Sequence, residues 1–176
     1  MTPIELQRAV SELFPENGKG TFADALRVDY TTTWRYSQRE LVPGPVAAAV
    51  SAWMLLSREY DIAPPSKPCE TRDFDEMVEL ASPGTRKQSG LSGIEAAAFL
   101  VFGDGWKRSL SLCLGIDAST LWRQIVHDNV SGPVAAAVRG WLLIWRLTGE
   151  APQLPQKPTS KSPKKKMPAY ARLLLD

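Results

Sequence analysis

Residues 42 to 55 read V-P-G-P-V-A-A-A-V-S-A-W-M-L, and residues 130 to 143 read V-S-G-P-V-A-A-A-V-R-G-W-L-L. Shifting the chain against itself by 88 positions extends this echo without a gap, laying residues 6–58 on 94–146 with about a third of the pairs identical. The shared residues include Phe14/Phe102, Lys19/Lys107, Leu26/Leu114, Asp29/Asp117, Thr32/Thr120, Trp34/Trp122, Arg35/Arg123, Trp53/Trp141 and Arg58/Arg146. Composition alone does not produce such a match, so the chain holds two copies of one unit. A solenoid would need at least about three shorter units.

The periodicity around the echo is helical. In copy one, Leu6, Val10, Leu13 and Phe14 form the stripe of an amphipathic helix over 4–14. Pro15 and the loop to Gly20 stop it, and Thr21 is placed to cap a short second helix bearing Phe22, Ala25 and Leu26. Asp29 is placed to accept from the free N–H groups of a third helix, Tyr30 to about Arg39. Gly44 and Pro45 start a fourth, with Val46, Val50, Trp53 and Leu56 on one side. Copy two repeats the plan over 94–102, 109–114, 117–127 and 133–147, with a more apolar first helix. The expected fold is therefore all-α. It comprises two small four- to five-helix domains in tandem, 1–60 and 91–149, and a linker, 61–90, that carries a short helix over 73–81. A disordered Pro/Lys-rich tail, 150–176, ends in a short helix over 170–175.

Two units of roughly 60 residues sit near the lower limit for a self-supporting core, so their contacts must be compact and local. No apolar run approaches the ~18 residues of a membrane span, and no signal peptide is evident. Cys69 and Cys113 are the only cysteines; a disulfide-free cytoplasmic protein is the expectation, with Cys113 a small core residue. The formal net charge is +2. Lys and Arg number 6 against 7 Asp and Glu in 1–60, 4 against 6 in 61–90, 5 against 5 in 91–150, and 6 against 1 in 151–176. The positive excess thus sits in the tail, and the units are near neutral.

The stretches L-R-V-D-Y-T-T-T-W-R-Y (26–36) and L-G-I-D-A-S-T-L-W-R-Q (114–124) resemble the helix-turn-helix of lambda-repressor-like and Cro-like transcriptional regulators. The proline-bearing fourth helix is similar to the ending of that family, and the likeness covers about 55 residues of each copy. Ala23 matches the family's small residue in the first helix of the motif and Gly115 its turn glycine, whereas Arg27 and Ser111 depart from the pattern.

The resemblance implies a third helix lying in the major groove of double-stranded DNA. Its readers would be Tyr30, Thr31, Thr32, Arg35 and Arg39 in copy one, and Ala118, Ser119, Thr120, Arg123 and His127 in copy two. An Arg there can bind guanine O6 and N7 bidentately, and Thr or Ser can reach phosphates or base edges. Lys19 and Lys107 are candidate phosphate contacts. Against this stand plainer readings: solvated helix arginines for Arg35 and Arg123, and an exposed helix residue for His127. Trp34 and Trp122 are expected to pack in the core, as are Trp53 and Trp141. Lys164–Lys166 serve either nonspecific DNA binding or solubility.

Nothing points to catalysis. A single histidine and two separated cysteines offer neither a zinc set nor a Cys-His nucleophile, and Gly18-Lys19-Gly20 is too short for a phosphate loop. No cofactor and no metal are expected. The leading expectation is a sequence-specific DNA-binding transcriptional regulator of bacterial or phage origin, nucleoid-associated when bound, whose two copies act as a pseudo-dimer on unlike half-sites. The alternatives are a protein-interaction adaptor or antiactivator on the same scaffold, and a phage or mobile-element protein that recruits DNA. A homo-oligomer or a partner protein fits either.

Overall fold

Helices make up all the regular structure of the described residues in the computed structural model, which are 1–154 apart from 17, 69 and 92. The order is α1 (Pro3–Leu13), α2 (Gly18–Ala25), α3 (Tyr30–Ser37), α4 (Gly44–Tyr60), α5 (Thr71–Ala81), α6 (Thr85–Ser89), α7 (Gly93–Phe102), a 3-10 turn (Gly103–Gly105), α8 (Trp106–Leu114), α9 (Ala118–Val126) and α10 (Gly132–Thr148). The 88-residue offset carries α4 onto α10 at both ends. Expectations for the basic tail and its terminal helix, and for Cys69, concern residues outside the described set. None of the described helices is long and apolar enough to cross a membrane.

Local chemistry explains several of the helix ends. Thr2 and Glu5 form a capping box, the Thr2 side chain accepting from the Glu5 N–H and the Glu5 carboxylate from the Thr2 N–H at 2.7 Å. Proline in the first turn of α4 and α10 suits positions whose N–H groups have no helical partner. Asp61 and Gly149, both left-handed, end those helices. Thr21 does not cap α2, because that helix starts a turn earlier at Gly18. Asp29 makes no side-chain cap at α3, whereas its counterpart Asp117 accepts from the N–H groups of Ser119 and Thr120 at 2.9 and 3.2 Å.

The two copies share one apolar core. Helix α4 crosses α10, and the Ala-rich echo lies at that crossing: Ala49, Ala52, Ala136 and Ala137 are buried beside Val46, Val50, Trp53, Val134, Val138 and Trp141. Small residues let the two backbones approach closely. A Cβ on Gly140 would stand 2.7 Å from the Ala52 Cβ, and positions 52 and 140 are equivalent under the repeat. At the helix starts the contact is reciprocal: a Cβ on Gly44 would collide with the Leu114 carbonyl oxygen, and one on Gly132 with the Leu26 carbonyl oxygen. Leu26 and Leu114 are themselves equivalent, so each copy sets the start of its fourth helix against the end of the other copy's second helix. Contacts that exchange when the copies are exchanged define a pseudo-twofold axis passing between Ala52 and Gly140. At both contacts a helix C-terminal carbonyl faces a helix N-terminus, the attractive sense of the two dipoles.

The connector is built into this arrangement. Helix α5 packs against α7 and α10 through buried Phe74 and Val78. Asp75 accepts from the Gly93 N–H at 2.6 Å, capping α7, and pairs with Arg86 of α6 at 3.0 Å. Leu80, two positions beyond Val78, is exposed.

Candidate nucleic-acid interface

The turn between the second and third helices has the same construction in both copies. The Val28 N–H donates to the Ala23 carbonyl at 3.0 Å, and the Arg27 N–H to the Asp24 carbonyl at 2.9 Å. In copy two the Ile116 N–H donates to the Ser111 carbonyl at 3.1 Å, and the Gly115 N–H to the Leu112 carbonyl at 3.2 Å. This pair of bonds is the Schellman ending, which needs a left-handed residue next to the last helical turn. Gly115 takes that conformation at φ 61° and Arg27 at φ 52°. The departure at Arg27 therefore changes the residue and leaves the turn intact. Ala23 and Ser111 are both buried, and the Ser111 hydroxyl donates to the Arg108 carbonyl at 2.9 Å, so its polarity is matched.

Beyond the turn, Thr33 and Tyr36 take the inward positions of α3, and Leu121 that of α9. The outward faces carry Tyr30, Thr31 and Arg35 on α3, and Ala118, Ser119 and Arg123 on α9, all exposed. Thr32 and Thr120 are half-buried, and the Thr32 N–H is used by the Asp29 carbonyl at 2.8 Å. Arg39 lies past the end of α3, which stops at Ser37, and His127 is the C-terminal cap of α9; both are exposed. Lys19 on α2 and Lys107 on α8 are exposed at the start of their helices.

Trp34 and Trp122 are not core residues. Trp34 is 58 % exposed and Trp122 41 %. Each follows an inward residue by one position, a rotation of about 100° on a helix that turns it outward. Trp53 and Trp141 do lie in the core. In copy two the Lys107 ammonium stands 3.8 Å from the Trp122 ring centroid and 5.4 Å from that of Trp106, a cation stacked on indole. The adjacent identity of Trp34-Arg35 and Trp122-Arg123 was the available signal for an exposed aromatic.

Hydrogen bonding tunes the two helices differently. Ser119 and Thr120 are engaged by Asp117, which accepts from both backbone N–H groups and from the Ser119 hydroxyl. The Ser119 hydroxyl and these N–H groups hold the Asp117 carboxyl below its ordinary range. Arg123 reaches the Thr120 hydroxyl at 3.5 Å. On α3, the Thr33 hydroxyl donates to the Tyr30 carbonyl at 2.7 Å, and burial pushes the Tyr36 phenol up. Cys113 is half-buried, and burial raises its thiol as well. No group of three or more His, Cys, Asp or Glu residues among the described residues is placed to hold a metal ion. No protein-family model, curated protein or solved structure matches the chain.

Proposed function

We propose that the protein is a sequence-specific double-stranded DNA-binding regulator in which α3 and α9 are the recognition helices of a built-in dimer. The observation that carries this reading is the reciprocal packing of Gly44 on Leu114 and Gly132 on Leu26. It relates two outward-facing, arginine-bearing helices by one pseudo-twofold axis. Dimeric readers of this class match their own symmetry to the spacing of two half-sites. Here the α4–α10 crossing sets that spacing, in place of the connector, and the differing residues of α3 and α9 call for unlike half-sites. Near-neutral copies make each contact modest, so linkage of the two is what raises occupancy.

Selection of bound duplexes from random-sequence DNA tests the proposal. The expected product is a two-part motif of constant spacing. Arg35→Ala and Arg123→Ala should each weaken binding to it by about 1–3 kcal/mol, each relaxing preference in its own half. No enriched motif at low salt, or unchanged binding by both variants, removes the assignment.

One observation favours a second reading, a protein-interaction adaptor. Tyr30, Trp34, Trp122 and Val126 expose large apolar surface on the same two helices, more than phosphate contacts require. Failure of the DNA selection would move the function there.

A further inference from the structure

In copy one a groove of about 450 Å³ opens between α1, α2 and α3, lined by Val10, Ser11, Gly18, Lys19, Thr33 and Trp34 among others. Its size lies within the range of small-molecule sites. Copy two shows how the same place is filled when the chain fills it. Gly18 is replaced there by Trp106, which is buried. Ser11 is replaced by Phe99, Thr33 by Leu121 and Ser37 by Ile125. These four changes run from small or polar in copy one to large and apolar in copy two, and outweigh the opposite changes of Val10 to Ala98, Pro15 to Gly103 and Phe22 to Leu110. Beside Trp106, Lys107 lies against both the Trp106 and Trp122 rings.

Copy one retains two of those three members, since Lys19 and Trp34 line the groove. The missing member is the ring that Trp106 supplies. Gly18 is not held by backbone need: a Cβ there would lie 3.8 Å from the Phe14 Cβ and from the Val10 Cγ1, in ordinary contact with the groove wall. A side chain at this position is therefore sterically acceptable, and its absence leaves the space open.

From this we infer that the copy-one groove is a binding site for a free, planar aromatic molecule of indole size, which takes the place that Trp106 occupies in copy two, beside Trp34 and Lys19. The ring's π-face suits the Lys19 ammonium. Its edge meets Ser11, Thr33 and Ser37; the Thr33 and Ser37 hydroxyls donate to the Tyr30 and Trp34 carbonyls at 2.7 and 2.6 Å, which leaves their oxygens to accept a ring N–H and orient it. The site stands on the comparison of the two copies and is independent of whether α3 reads DNA.

Indole itself is the probe, titrated into the full-length protein while the side-chain N–H resonance of Trp34 is followed by nitrogen–proton correlation spectroscopy. A saturable shift of Trp34 at millimolar indole or below is expected. It should be lost in Gly18→Trp, which installs the copy-two ring, and in Ser11→Phe, which narrows the rim from an exposed position. Circular dichroism identifies which variants are folded, and either folded variant suffices for the comparison. Absence of a saturable Trp34 shift in the wild-type protein overturns the proposal, leaving a water-filled groove. So does a shift that persists undiminished in a folded variant.

Discussion

Phe99, Trp106, Leu121 and Ile125 pack copy two where copy one has Ser11, Gly18, Thr33 and Ser37, although the helices run over equivalent residues and the two turns share their hydrogen bonds. The first helices differ in the same sense. Helix α7 packs against α5, α8 and α10, and buries Ile94, Ala96, Ala97, Ala98 and Val101 around most of its circumference. Helix α1 keeps a polar side, on which Glu12 meets Arg58 of α4 in a two-pronged pair at 2.7 Å. That pair holds the Glu12 carboxyl below its ordinary range. In copy two the position of Glu12 is Leu100, so the repeat offers Arg146 no carboxylate at that place. Copy two is the filled version of the unit and copy one the open version. What they hold in common is the surface by which they grip each other.

The sharpest way to break that account is at the shared surface. Gly132→Ala and Gly44→Ala each drive a methyl group into a backbone carbonyl that ends a helix, which side-chain rotation cannot relieve. Overpacking costs about 1–3 kcal/mol, and a contact that only backbone movement can relieve belongs at the upper end. Equal large losses for the two variants, measured by denaturant unfolding, would agree with the reciprocal contact. Two near-neutral results would show that the copies do not interlock through these glycines.

How far the residues alone disclosed this arrangement depends on the kind of signal. The starts of α4 and α10 were legible because Gly-Pro before an apolar stripe acts locally. So were the buried Trp53 and Trp141, which continue the stripes of Val46 and Val50 and of Val134 and Val138. The purpose of Gly44, Gly132 and Gly140 was not legible, since a glycine required by a neighbour 70 or more positions away in the chain leaves no local mark. The outward turn of Trp34 leaves no local mark for a related reason: α3 is only Tyr30–Ser37, and its inward positions include a threonine, so no apolar stripe distinguishes its sides. The apolar excess of the 94–102 segment was visible, but its cause, a connector helix laid across it, was not. At the candidate interface the exposed arginines followed from pattern, whereas Arg39 fell outside because the helix ends two residues before it.

A smaller effect distinguishes the caps. Asp117 bonds two N–H groups and the Ser119 hydroxyl, and Asp29 has no side-chain cap bond. Asp117→Ala should lower Tm by a few degrees at neutral pH, while Asp29→Ala leaves it nearly unchanged. The sign with pH follows from the lowered Asp117 pKa. Its contribution is present above the ordinary carboxylate range, about pH 4, and fades as pH falls through the folded value. The wild-type protein should therefore converge on Asp117→Ala below about pH 4. A difference between them that persists unchanged in acid would mean that the loss comes from packing instead of the charged cap.

The finest comparison is at the left-handed turn residue, where copy two has glycine and copy one has Arg27 at φ 52°. A residue with a Cβ pays about 1–2 kcal/mol in this conformation, partly offset because glycine loses more freedom on folding. Removing the Arg27 Cβ therefore relieves a strained dihedral. Arg27→Gly should stabilise the protein by about 0.5–1 kcal/mol, measured as a higher denaturation midpoint with an unchanged slope. Loss of stability on this change would mean that the arginine side chain makes a compensating contact across the pseudo-twofold axis, and that the two turns are alike in backbone only.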